Sequence, residues 1–251
     1  IKLGKYELAQ QDRASYFKYK TNGIKIGLIL SGDPSSEPPD ISSIGVLQFL
    51  EDIDLKPDII IGTGMGGFIG GLYCSGKSID EIKQILNQFG NLPYWETSSN
   101  EFEISRRYDF TNYLYRYNLN KRFYEFDDRN YLSRFYYSLL KEFIPTNENF
   151  LELEIPFACI LTDIKSANPI IVTQGDLCNV LVASNTGPFI SKPAKINGSP
   201  VYSGYYSNPL PASIAHEFNV DFIIGYLGML KDTAIKASDM DLVDIIGYNF
   251  M

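Results

Sequence analysis

The sequence predicts an α/β domain of three layers, with a mainly parallel central sheet and helices on both faces. Three observations predict it. Short, branched apolar runs at Ile24–Leu30, Asp58–Ile61 and Val220–Tyr226 have strand length and no polar alternation, the mark of strands buried on both faces. Stretches with helical spacing separate strand patterns along the chain. The links between them are short, which suits repeated strand–helix–strand units and therefore parallel pairing.

The elements follow in order. Residues 1–23 are polar and mixed and read as an N-terminal arm, leaving 24–251 as one domain. Ile24–Leu30 is the first strand. Ser31–Asp40 holds three prolines and no apolar side chain besides them, so it reads as a loop. Ile41–Asp52 carries Ile41, Ile44, Leu47, Phe49 and Leu50 at helical spacing, and Lys56-Pro57 closes that unit before the strand Asp58–Ile61. The run Gly62-Thr63-Gly64-Met65-Gly66-Gly67 leads into a helix of small residues ending near Cys74. Ser78-x-x-Glu81 is a capping box opening a helix through Phe89.

Residues 91–150 read as a variable, aromatic-rich insertion, with a helix at Tyr131–Phe143. Ile155–Leu161 and Pro169–Thr173 are then expected as strands, and Asp176–Ala183 as a short helix. Ile196-Asn197-Gly198 marks a hairpin. Pro211 is placed as the first residue of a helix ending near Phe218, before the last strand.

Composition narrows the chemistry. The net charge of -8 and a pI near 4.8 argue against nucleic acid and against electrostatic attachment to anionic lipid. With one histidine, His216, a serine–histidine or cysteine–histidine site would have to use that residue, and a multi-histidine metal site is impossible. No metal or other cofactor is implied. Cys74, Cys159 and Cys178 each lie in an apolar stretch and read as buried free thiols. No apolar run approaches the ~20 residues that span a bilayer.

A strand that stops at Gly-x-X-x-Gly and turns at once into a helix has the form of a nucleophile elbow. Its tip is exposed near the helix N-terminus, where amide hydrogens can hold developing negative charge. In Gly62-Thr63-Gly64-Met65-Gly66 the tip is Gly64, which has no attacking atom. Phosphate binding is the rival for such a run. The spacing is not that of a P-loop, however, and no Lys-Ser/Thr follows. A dinucleotide fingerprint on Gly62, Gly64 and Gly67 lacks an acidic ribose partner.

The surrounding motifs carry a resemblance. Ile24–Leu30, Ile44-Gly45-Val46-Leu47, Lys56-Pro57-Asp58-Ile59-Ile60-Ile61 with the elbow, and Gly71-Leu72-Tyr73-Cys74-Ser75-Gly76 closely resemble the bacterial patatin-like phospholipases. So do Ala183-Ser184, Pro188, Ile196-Asn197-Gly198, Ser203-Gly204, Asn208-Pro209-Leu210-Pro211, Ala215-His216-Glu217 and Val220–Ile224. The likeness covers roughly 24–90 and 151–227 and implies the three-layer patatin-like fold. In that family the elbow serine and an aspartate form the dyad of a lipid acyl hydrolase, and a glycine-rich loop with a basic residue follows the first strand.

Against that pattern this chain places Gly64 at the nucleophile position, Ser203 at the dyad acid, and Gly32-Asp33-Pro34 at the start of the oxyanion loop. Proline donates no N–H, and Asp33, Glu37 and Asp40 bring negative charge where the family gathers positive potential. The resemblance with these changes implies a catalytically inactive domain acting as a protein-interaction or assembly subunit. Its partner would be a protein, with an outer-membrane β-barrel as one form of it. The placement implied is the periplasmic face of the outer membrane, with the cytoplasm as the alternative. The alternative functions are a lipid-binding module that keeps the acyl groove and a residual lipid acyl hydrolase. Tyr202, Tyr205 and Tyr206 replace smaller family residues and are expected to plug the old acyl pocket. The aromatic cluster Tyr108–Tyr137 suits either a protein interface or core beneath the insertion.

Overall fold

Strand β1 (Ile26–Gly32) is buried from Gly27 onward, as its branched apolar sequence requires. The computed structural model describes residues 23–34, 40–90, 130–144, 149–188 and 193–228. β1 pairs in parallel with β2 (Ile59–Thr63), from Gly27 opposite Ile59 to Ser31 opposite Thr63. Its other edge pairs in parallel with β7 (Phe222–Leu227).

β2 pairs in parallel with β3 (Phe157–Asp163), while β4 (Pro169–Val172), β5 (Ala194–Ile196) and β6 (Ser199–Ser203) join antiparallel. The seven-stranded sheet runs β5-β6-β3-β2-β1-β7, with β4 also paired to β3. Cys159 lies between Val172 of β4 and Gly62 of β2, and Leu161 between Ile170 of β4 and Ser203 of β6. β2 and β6 therefore share one edge of β3. β6 takes over where β2 stops, which carries Ser203 to the end of β2 that feeds the elbow.

Helices cover both faces. Leu28, Leu30, Ile60, Phe157, Cys159 and Leu161 pack with apolar residues of α1 (Ser43–Asp52), α2 (Gly64–Cys74), α3 (Ile79–Gly90), α4 (Asn130–Phe143) and α5 (Leu177–Ser184). Ile29, Ile59, Ile61, Ala158 and Ile160 face the other way, onto Ile214 and Ala215 of α6 (Ala212–His216) and Phe218 beyond it. This is the expected three-layer arrangement. α2 lies unusually close to the sheet: a Cβ on Gly66 would run into the backbone of Leu30 and Ser31.

Local signals mostly hold. Ser78 N donates to Glu81 Oε2 at 2.8 Å and Glu81 N donates to Ser78 Oγ at 3.3 Å, the two halves of the capping box. Asn197 and Gly198 both have left-handed φ, +47° and +80°, and close the β5–β6 hairpin. Asp176 caps α5 by accepting from Cys178 N at 3.1 Å. The same carboxylate accepts from the Tyr137 hydroxyl and pairs with Lys141 Nζ at 3.3 Å, tying α4 to α5.

Several boundaries differ. β1 starts at Ile26 and runs on to Gly32, two residues into the expected loop, because Gly32 makes one more rung with Gly64. β3 begins after Pro156, which has no N–H for the ladder, and extends to Asp163, where β4 and β6 supply partners. Pro211 is the residue before α6 rather than its first: its ψ of 52° is not helical, and the helix ends at His216. The arm residues 1–22 and the insertion residues 91–129 and 145–148 lie outside the described residues. Of the aromatic cluster Tyr108–Tyr137, only Tyr137 has a described side chain.

Candidate functional site

The elbow forms because β2 must become α2 within one residue. Thr63 is still extended (φ −142°, ψ 144°), and Gly64 is already the first helical residue with φ +60°. A side chain at that φ costs ~1–2 kcal/mol, so glycine removes local strain as well as the nucleophile position's reactive atom. The space a Cβ would need at Gly64 is not empty. The Gly32 carbonyl oxygen stands in it, well inside van der Waals contact, with the carbonyl carbon 3.0 Å away and Pro34 Cδ 3.4 Å away.

The segment at the oxyanion-loop position therefore presents a carbonyl oxygen to the elbow tip, and an oxygen acceptor repels developing negative charge where an amide would hold it. Gly32 is itself enclosed: a Cβ on it would lie 3.1 Å from Met65 Cβ, 3.1 Å from Asp40 Oδ2 and 3.2 Å from Gly66 N. The Asp33 side chain is buried beside it. Asp40 Oδ1 accepts from Ser42 N at 3.1 Å and from the Ser42 hydroxyl, which fixes the entry to α1.

Ser203 is fully buried at the end of β6. Its N–H donates to Thr186 O at 2.9 Å and its carbonyl accepts from Thr162 Oγ1 at 2.7 Å. Its hydroxyl oxygen accepts from Tyr205 N at 3.2 Å, capping the short 3-10 turn Gly204–Tyr206. The structure thus brings Gly64, Ser203 and Gly32, the residues that the motif resemblance sets at the nucleophile, dyad-acid and oxyanion-loop positions, to one end of the sheet. The first of these holds backbone only, and the second holds a hydroxyl used as a turn cap.

Tyrosines crowd the same end. Tyr205 and Tyr206 meet edge to face, ring centroids 6.2 Å apart. Tyr206 presses on Gly187 so closely that a Cβ there would collide with its hydroxyl and lie 2.8 Å from Cζ. Burial, with the Asp33 and Asp40 charges adding to it, pushes the Tyr205 phenol up to about 12. Burial alone raises that of Tyr202.

Two polar side chains are buried beside the elbow. Ser31 and Thr63 are register partners at the ends of β1 and β2 and are completely buried. Strand alternation turns both toward the α6 face, with Ile29 and Ile61. Neither hydroxyl has a hydrogen-bond partner among the described residues.

Other nucleophiles are poorly placed. The three cysteines are free and buried, and burial raises each thiol, Cys178 to about 11. His216 is exposed at the last turn of α6. Among the described residues no three His, Cys, Asp or Glu side chains gather into a metal site.

Residues 41–216 match the family described as patatin-like phospholipase. The chain is 27% identical over 217 residues to lysophospholipase NTE1 of Cryptococcus neoformans, covering 84% of this chain and 12% of that protein. It is 26% identical over 204 residues to lysophospholipase NTE1 of Candida albicans, 79% of this chain and 13% of that one. Human patatin-like phospholipase domain-containing protein 6 is 26% identical over 231 residues, 90% of this chain and 14% of that protein. The chain thus spans about one eighth of the length of these relatives.

Proposed function

The chain belongs to the patatin-like phospholipase family, and from that premise we propose that it is a non-hydrolytic member, a patatin-like domain kept as a protein-interaction or assembly subunit in a lipid-related setting. The observation that carries this reading is the elbow tip: Gly64 offers no oxygen, and the Gly32 carbonyl takes the place of its side chain. Losing an activated nucleophile costs ~10^6 in turnover and one oxyanion donor ~10^2–10^3. At this site Gly64 carries no nucleophile and a carbonyl oxygen faces it from the neighbouring segment, which together support the non-hydrolytic reading. Ser203 cannot substitute, because its hydroxyl is committed to the Tyr205 amide in a fully buried position.

An interaction role is supported by apolar side chains left in solvent. Phe49 on α1 and Ile53, the residue that caps its C-terminus, are 60% and 49% exposed, and Ile24 before β1 and Phe222 at the start of β7 are 75% and 59% exposed. Such side chains would supply the apolar contacts of a protein partner. An outer-membrane β-barrel partner and a periplasmic location rest on the motif resemblance alone, while the relatives compared above are fungal and human. A lipid-binding role without cleavage is the second reading, favoured by the lysophospholipase names of the relatives.

The purified protein, given p-nitrophenyl esters of short and long acyl chains and a fluorophosphonate probe, is expected to show background turnover and no labelling. Turnover above background that disappears in Ser203→Ala would overturn the non-hydrolytic reading. Native mass spectrometry after mild extraction separates the two binding roles: a stoichiometric protein partner supports assembly, and a retained lipid supports the second reading.

A further inference from the structure

The β1–β2 ladder does not stop at the sheet edge. After Ser31 opposite Thr63 it makes one more parallel rung, Gly32 with Gly64, across the spot where a hydrolase of this fold needs open space. We propose that this rung is a structural closure of the elbow built from backbone: glycine at 64 and the inward course of Gly32-Asp33-Pro34 require each other, and neither can be reversed alone. The inference rests on the non-hydrolytic reading and deepens it.

The contact is held from both sides. The elbow cannot retreat, because α2 is already pressed on β1 at Gly66, where even a methyl group has no room against Leu30 and Ser31. Gly32 is closely packed on its α-carbon side, where a Cβ would lie 3.1–3.2 Å from Met65 Cβ, Gly66 N and the Asp40 carboxylate. Pro34 Cδ, 3.4 Å from the missing Cβ, closes the remaining side. Interiors packed to this density do not deform smoothly when atoms are added. A side chain at 64 must therefore break the Gly32 rung and unseat the loop. A serine restored there would meet a carbonyl acceptor instead of amide donors.

The test separates clash from the left-handed φ. Gly198 also has positive φ, +80°, yet nothing lies within 4 Å of a Cβ built on it. Gly198→Ala thus pays the conformational cost alone, and its melting temperature is expected to fall by ~2–8 °C. Gly64→Ala is expected to fall by at least twice the Gly198→Ala shift. Equal shifts overturn the closure, whatever the ester assays show, and ester turnover in the unaltered protein would sink the non-hydrolytic reading without touching this comparison.

A second arm covers the case in which Gly64→Ala does not fold. Asp33→Gly with Pro34→Gly relaxes the loop, and adding Gly64→Ala in that background is expected to cost less than half of what it costs in the original chain. Folded combined variant where the single one is unfolded supports the closure. An undiminished loss, or a combined variant as unfolded as Gly64→Ala, overturns it.

Discussion

The hydroxyl oxygen of Ser203 accepts the Tyr205 amide hydrogen at 3.2 Å, so this buried side chain serves as a turn cap. Removing the oxygen leaves that amide without its partner in a crowded site. Ser203→Ala is expected to cost roughly 1–2 kcal/mol. Thermal denaturation should show this as a drop of a few degrees, at ~2–4 °C per kcal/mol. Ester turnover should stay at background in both proteins.

Tyr205 gives a pH signature. Burial, then the Asp33 and Asp40 charges, hold its phenol up to about 12, against 10.0 for a free tyrosine. Between those values the unfolded chain has released the proton and the folded chain has kept it. The folded state then binds more protons, so stability falls as pH rises from about 10 to 12. The contribution is fully present below pH 10. Urea midpoints measured from pH 9 to 12 should fall less steeply for Tyr205→Phe than for the unaltered chain. Parallel slopes would show that Tyr205 ionises normally.

The elbow was legible in the sequence because its information is local: a strand, a glycine pair around a tip, and small residues entering a helix. The capping box at Ser78 and Glu81 and the Asn197-Gly198 hairpin were legible for the same reason. The Gly32–Gly64 rung was not, since a segment with three prolines reads as chain leaving the sheet, and nothing within it reveals a carbonyl turning inward. Nor could sequence place Ser203 on the β2 edge of β3, because that depends on β6 replacing β2 halfway along a strand more than forty positions earlier, from Leu161 to Ser203. Ser31 and Thr63 looked like ordinary loop and elbow residues until their register brought both hydroxyls into the interior.

Asp176 joins two helices with one carboxylate. It caps α5 through Cys178 N, accepts from the Tyr137 hydroxyl and pairs with Lys141, whose Nζ also lies 5.2 Å from the Tyr137 ring centroid. Asp176→Ala removes all three and is expected to cost ~2–3 kcal/mol, about half of it from the cap. Asp176→Asn keeps an oxygen for the cap and should recover that half. Tyr137→Phe should lose less than Asp176→Ala. Chemical denaturation of the three variants checks the order, and a Tyr137→Phe loss as large as that of Asp176→Ala would mean that the cap contributes little.

Phe222 separates a docking surface from ordinary packing. Ile224 and Tyr226, further along β7, pack against the α1 side of the sheet, so alternation turns Phe222 to that side as well, opposite Ile26 of β1. It is nevertheless 59% exposed. A core phenylalanine loses ~3–5 kcal/mol on truncation, whereas an exposed one changes stability by about 0.5 kcal/mol or less. Phe222→Asp is therefore expected to keep its melting temperature within ~2 °C. If this face carries the proposed interaction, the same variant should lose the partner retained in native mass spectra, because a carboxylate placed in an apolar contact is desolvated without a counter-charge. Unchanged stability with unchanged association would move the interaction to another face. A large loss of stability would show that Phe222 serves the fold.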